Sequence, residues 1–273
     1  MFYNSRKENS LEAAVTMAEL VYHSIARKIR KTHGNAVLSI LVNLLQLAIM
    51  VMAFYLMFSI LGLRKTAVRG DFLLYLMSGI FLYMTHTKTL GAVAGAEGPT
   101  SPMMLHAPMN TIVAIMSAAL SALYLQVLAL SLILFIYYMG FEKFVIEDAA
   151  GAFGMLLLAW FGGLAIGTVL LALKPWFPGT VQIFTLIYQR ANMIASGKMF
   201  LANTLPGFML AMFDWNPLFH IIDQARGFIF INYTPRYSTI KYAIIVYGVI
   251  LMLGLIGEFY TRRNSSLSWG AKR

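Results

Sequence analysis

The 273-residue chain has no cysteine, and only 12% of its residues are charged, against 59% that are hydrophobic. Having no thiol excludes disulfides, thiolate metal sites and thiol catalysis, and it leaves the compartment open. The scarcity of charge, about half that of a soluble domain, together with a mean hydropathy of +0.72, excludes a soluble globular fold. Acidic residues are the rarest charges, 11 against 21 Lys and Arg, for a net charge of +10. The basic residues flank apolar segments and form no stripe on a soluble module, so the charge reads as membrane topology and nucleic acid is not a partner.

Chemical motifs are equally sparse. No GxxxxGK[ST] phosphate loop occurs, so any ATP is handled by another protein. The five histidines, His23, His33, His86, His106 and His220, include no pair at the i, i+4 spacing of a helical zinc site, and no metal centre is expected. No serine sits in a GxSxG setting, and Glu147 and Asp148 read as a solvated turn. The sequence therefore shows no catalytic constellation.

What is present is apolar sequence in span-sized blocks. With about 20 residues needed per helical crossing, six spans are expected near 37–62, 72–87, 110–137, 151–173, 180–202 and 240–260. The second is weakened by Thr85, His86, Thr87 and Lys88. A polar segment runs from Gly91 through Glu97, Pro99, Pro102 and His106 to Pro108. Residues 203–239 are broken by Pro206, Gly207, Asp214, Asn216, Pro217, Asp223 and Arg226, which predicts short re-entrant or surface helices.

Ahead of the first span, Leu11, Val15, Ala18, Tyr22, Ile25 and Ile29 recur at helical spacing over 10–31, with Ser10 as N-cap. Arg27, Lys28, Arg30 and Lys31 crowd the end of that helix, a pattern suited to lying in an anionic headgroup layer. No cleavable signal peptide is expected in the polar, basic first 36 residues. With six spans, twelve Lys and Arg fall on the side of the two termini and seven on the other, which favours cytoplasmic termini; Arg64, Lys65 and Arg69 oppose that bias.

The fifth span carries the most information. Gln182, Thr185, Gln189, Asn192 and Ser196 follow spacings of three and four, making one narrow polar stripe, with Asn203 seven further on. Arg190 lies near mid-membrane, where a charge costs about 2.5 to 3.5 kcal/mol on insertion scales unless it faces protein or water. Lys198 follows. The stripe reads either as the wall of a hydrated or anionic-substrate path, or as polar bonding to a neighbouring helix. In span four, Ala159, Gly163 and Gly167 permit close approach of another helix. Trp160, Trp176 and Trp215 suit bilayer interfaces better than sugar stacking.

Six spans, a basic entry helix, a polar segment after span two and a broken stretch before span six together resemble the permease subunits of bacterial ABC exporters of capsular polysaccharide or O-antigen. The residues that carry the resemblance run from Asp214 through Trp215, Asn216, Pro217, Leu218, Phe219, His220, Ile221, Ile222, Asp223, Gln224 and Ala225 to Arg226 and Gly227. They are similar to the family's Asn-Pro-Leu, paired aliphatic, acidic, then Arg pattern. Leu76-Met77-Ser78-Gly79 is a weaker echo. The entry into span one, Gly34-Asn35-Ala36-Val37-Leu38, and the start of span five, Pro178-Gly179-Thr180, depart from the family.

The resemblance implies an all-α membrane protein with three parts: a cytoplasmic segment with an interfacial helix at 1–36, a six-helix permease domain at 37–260 and a basic cytoplasmic tail at 261–273. It implies two copies of this chain forming a channel in the bacterial inner membrane and two copies of an ATPase that binds ATP and magnesium, with no cofactor in this chain. Its cargo would be a polysaccharide or glycolipid, and its further partners periplasmic export components and membrane lipids. By the same resemblance Gln182, Thr185, Gln189, Arg190, Asn192, Ser196 and Lys198 would line the path. Trp215, Asn216, Pro217, His220, Asp223 and Arg226 would belong to a periplasmic gate at 205–235, and Lys88, Glu97, Pro99, Pro102, His106 and Pro108 to an ATPase-coupling segment at 88–109. A drug or teichoic-acid exporter of the same fold, or a polytopic membrane transferase, are the alternative readings.

Overall fold

The computed structural model describes residues 16, 18–25, 36–62, 71–98, 110–140 and 143–264. Among the described residues from 36 onward there are eight α-helices: α1 (Ala36–Ile60), α2 (Phe72–Ala94), α3 (Thr111–Gly140), α4 (Ala149–Leu173), α5 (Pro178–Ala195), α6 (Gly207–Phe213), α7 (Pro217–Ile229) and α8 (Ile240–Asn264). Before them, residues 18–25 are helical, within the expected entry helix. The remainder of that helix, with Arg27, Lys28, Arg30 and Lys31, lies outside the described residues, as do Arg64, Lys65, Arg69, Pro99, Pro102, His106 and Pro108.

Helices α1, α3, α4 and α8 are long and apolar enough to cross a membrane. The other two expected spans, α2 and α5, are of a different kind. Helix α2 starts where Asp71 accepts from the Leu73 N–H as N-cap and ends at Ala94 with Gly95 as C-cap, about two turns beyond the expected limit. Its polar run is accommodated because α2 is the central helix, packed against α4, α3, α1 and α7 and buried along most of its length. Thr85 and Thr87 return their hydroxyls to the Phe81 and Tyr83 carbonyls. His86 Nδ1 donates to the Ala159 carbonyl at 3.1 Å, which leaves Nε2 to accept from the Tyr188 hydroxyl at 3.0 Å. Polar side chains that would weaken a lipid-facing span are thus satisfied inside the protein.

Helix α4 runs between α2 and α8 because its small residues allow it. A Cβ on Gly163 would stand 2.4 Å from the His86 carbonyl oxygen, and one on Gly167 2.7 Å from Val93 Cβ. On the α8 side, a Cβ on Gly162 would meet the Tyr247 ring at 2.3 Å. The expected close approach of a helix to Ala159, Gly163 and Gly167 is therefore present, and the helix is α2. Asp148 of the predicted turn caps α4, accepting from the Gly151 N–H at 2.9 Å. The broken stretch before α8 forms two helices of 7 and 13 residues, each too short to cross.

Candidate functional site

Where periodicity predicts a helix to residue 202, α5 ends at Ala195, because Gly197 adopts φ +73° and turns the chain. A Cβ at that position would lie 2.5 Å from Phe219, so both the backbone angle and the space require glycine. The expected stripe consequently divides between two surroundings. Thr185 bonds back to the Val181 carbonyl, Gln189 donates to the Thr87 carbonyl of α2 at 3.4 Å, and Asn192 is buried. Gln182 and Arg190 are exposed, together with Ile183, Phe184, Leu186, Ile187 and Ile194. Only Val181 and Asn192 of the whole helix are buried.

Ser196 is buried, and its hydroxyl has no partner among the described residues. Lys198 lies beyond the turn and off the helix. It is 1% exposed, and its ammonium rests 3.9 Å from the Tyr83 ring centroid and 4.6 Å from that of Phe54, with no hydrogen-bond acceptor among the described residues. Gly79, in the weaker sequence echo, makes room for this segment: a Cβ there would stand 2.8 Å from Lys198 Cα.

The stretch 214–227 centres on α7. Asn216 is its N-cap, accepting from the Leu218 N–H, and Pro217 occupies the first turn, where its missing N–H costs nothing. The Asn216 amide also donates to Asn192 Oδ1 and the Ala195 carbonyl, both at 2.9 Å, and so closes the end of α5. His220 Nε2 donates to the Asp214 carbonyl, and its Nδ1 accepts from the Thr239 N–H at 3.0 Å. Asp223, 1% exposed, accepts from the Tyr233 and Ser238 hydroxyls. Burial first, and the Asp223 carboxylate next, raise the Tyr233 phenol above its ordinary pKa.

Arg226, one turn on, is also 1% exposed. It donates to the carbonyls of Gly197 at 3.0 Å, Lys198 at 2.7 Å and Phe200 at 2.6 Å, and its guanidinium lies 4.4 Å from the Tyr75 ring. Four polar side chains of one short helix thereby bind the end of α5, the turn after it and the entry to α8. Trp215 is outside this network, 64% exposed, with its indole donating to the Met212 carbonyl.

Of the expected coupling residues, Lys88 donates to Gln46 Oε1 of α1, and Glu97 lies half-buried just beyond α2. The residues missed in the sequence reading are Phe54, Tyr75 and Tyr83, which surround the two buried cations, and Tyr233 and Ser238 at Asp223. No spacing signals them. A second missed group, Ser39, Asn43 and Gln46 on α1, was detectable as polar residues four and three apart in an apolar span.

No protein-family model matches the chain. Two curated proteins of Escherichia coli, both described as polysialic acid transport protein KpsM, are similar to it. One is 22% identical over 210 residues, covering 76% of this chain and 79% of the relative. The other is 23% identical over 214 residues with the same coverage of each. These relatives bear out the resemblance to capsule-export permeases, and with the apolar helices they identify a multi-pass membrane protein similar to polysaccharide transporters.

Proposed function

We propose that this chain is the permease subunit of an ATP-driven exporter of polysaccharide, capsule or O-antigen in type and lipid-linked, in the bacterial inner membrane. Helices α1 to α5 and α8 make six crossings with both termini cytoplasmic, and two copies enclose the path. The observation that carries this reading is the outer face of α5, which leaves Gln182 and Arg190 unburied on a helix about 27 Å long. With α5 ending at Ala195, Arg190 lies about a turn and a half from the helix end rather than at its middle, yet a guanidinium facing lipid still opposes insertion, so the face belongs against a second copy or a water-filled path. Exposed apolar residues on the same helix supply the surface for a partner copy. The α7 network forms the extracytoplasmic cap, and the segment after α2, including Glu97, Pro99, Pro102, His106 and Pro108, meets the ATPase.

Because the chain carries no phosphate loop, ATP turnover and export should appear only on co-expression with a phosphate-loop ATPase. Steady ATP hydrolysis by the purified chain alone would contradict the division of labour.

A further inference from the structure

Helix α5 is tied to the bundle at three places. Its end is fixed by Asn216, the N-cap of α7, which donates to Asn192 Oδ1 and the Ala195 carbonyl. Toward its start, Val181 packs against Leu90 of α2 and Leu170 of α4. Between these, three hydrogen bonds with α2 converge on two successive residues of α5. The Tyr83 hydroxyl donates to the Gln189 carbonyl at 3.0 Å, the Gln189 amide donates to the Thr87 carbonyl at 3.4 Å, and the Tyr188 hydroxyl donates to His86 Nε2 at 3.0 Å.

His86 is fully buried at the centre of this contact. Its Nδ1–H is taken by the Ala159 carbonyl of α4 at 3.1 Å. Helix α4 comes that close because Gly163 lacks a Cβ, which would stand 2.4 Å from the His86 carbonyl oxygen. On the α8 side the Tyr247 ring lies 5.8 Å from the imidazole. With Nδ1 donating, Nε2 carries a lone pair and accepts the hydroxyl proton offered by α5. The imidazole thus belongs to α2, is oriented by α4 and takes hold of α5.

We infer that His86 is a positioning residue for the path: through its bond to Tyr188, a displacement of α2 driven by the ATPase carries the middle of α5, while Asn216 keeps the outer end in place. This rests on the export reading above, in which the segment after α2 meets the ATPase. His86 lies about two turns before Ala94, the last residue of α2, and a helix moves as one body, so a shift imposed at that end reaches the imidazole. The apolar contact at Val181 lets helices slide, whereas a hydrogen bond is directional and fixes register. One interhelical hydrogen bond within a membrane is also weak enough to be made and broken in every cycle. Gln182 and Arg190 stand on the outer face of α5, so the place of α2 sets theirs.

The chain has no native cysteine, so Gln182→Cys supplies its single thiol. In membrane vesicles carrying this variant with a phosphate-loop ATPase partner, the rate at which a water-soluble maleimide labels the chain is read with and without ATP, beside ATP turnover. The labelling rate should change about fivefold on adding ATP. Adding Tyr188→Phe should shrink the change to less than about twofold with ATP turnover retained, because the donor to His86 is gone. His86→Asn should do the same, since its amide keeps the bond to Ala159 and is too short to reach Tyr188. His86→Gln places Oε1 near the position of Nε2 and should keep most of the change, a rescue that a role in packing alone does not give. Tyr188→Phe with the full ATP-dependent change overturns the inference, and it decides the matter if His86→Asn does not insert. Loss of the change in His86→Gln as well assigns His86 to packing and also overturns it, as does ATP-independent labelling of the Gln182→Cys parent while ATP is being turned over. Failure of any phosphate-loop ATPase to turn over ATP with the chain is the separate result that removes the export reading, and this inference with it.

Discussion

The Arg226 guanidinium donates to the Lys198 carbonyl at 2.7 Å, so one buried cation holds the backbone of another whose own ammonium rests on the Tyr83 and Phe54 rings and has no hydrogen-bond acceptor among the described residues. Arg226 has three carbonyls to bind and fixes the turn after α5. Lys198 is fixed by that turn and contributes little to holding it.

Arg226→Ala should therefore be severely destabilising. It leaves three buried carbonyls without their donor, at about 1 to 3 kcal/mol each where water cannot replace it. Arg226→Lys should recover only a minor part, because an ammonium cannot span carbonyls that a planar fork reaches together. Membrane protein level and the thermal midpoint in detergent check both variants.

Lys198→Met should behave in the opposite way. Two cation–π contacts offer about 1 to 2 kcal/mol each, less than the several kcal/mol of desolvation that an unpaired buried ammonium costs. A thioether of similar length keeps the packing, so the thermal midpoint should stay level or rise. A drop comparable to that of Arg226→Ala would show that the ammonium has an acceptor.

At the α2–α4 contact, Gly163→Ala should cost about 1 to 3 kcal/mol, since the added methyl overlaps the His86 carbonyl oxygen and the helices must part. Gly154→Ala on the same helix meets nothing within 4 Å and serves as the neutral comparison. Thermal unfolding of the two variants side by side separates helix spacing from intrinsic propensity.

The absence of native cysteine gives a direct reading of topology. With cytoplasmic termini, a single cysteine at Lys28→Cys should resist an impermeant thiol reagent in intact cells and react after the membrane is opened. Labelling in intact cells would invert the orientation.

How much of this was legible in the sequence varies by residue. Gly163 and Gly167 announced a close helix contact because small residues at four-residue spacing have few other uses in an apolar helix, and Asn216-Pro217 marked the start of α7 through cap chemistry that is local. The polar stripe on α5 was legible as a stripe, but its neighbours were not: spacing places Gln189 and Asn192 on one face without saying that α2 and α7 cover it. The end of α5 depended on one glycine with positive φ, which hydropathy does not register. The polar run in α2 looked like a weak span because sequence hydropathy assumes lipid around every helix, whereas His86 is enclosed by α4, α5 and α8.

Arg190 is where the proposed path is most exposed to test. Arg190→Ala removes a charge that opposes insertion, so protein level should hold while surface polysaccharide falls, and Arg190→Lys should restore only part of the export. Surface polysaccharide and membrane protein, measured together for both variants, decide it: reduced export at normal protein level is the expected result, and normal export with Arg190→Ala would contradict the placement of this face of α5 on the path.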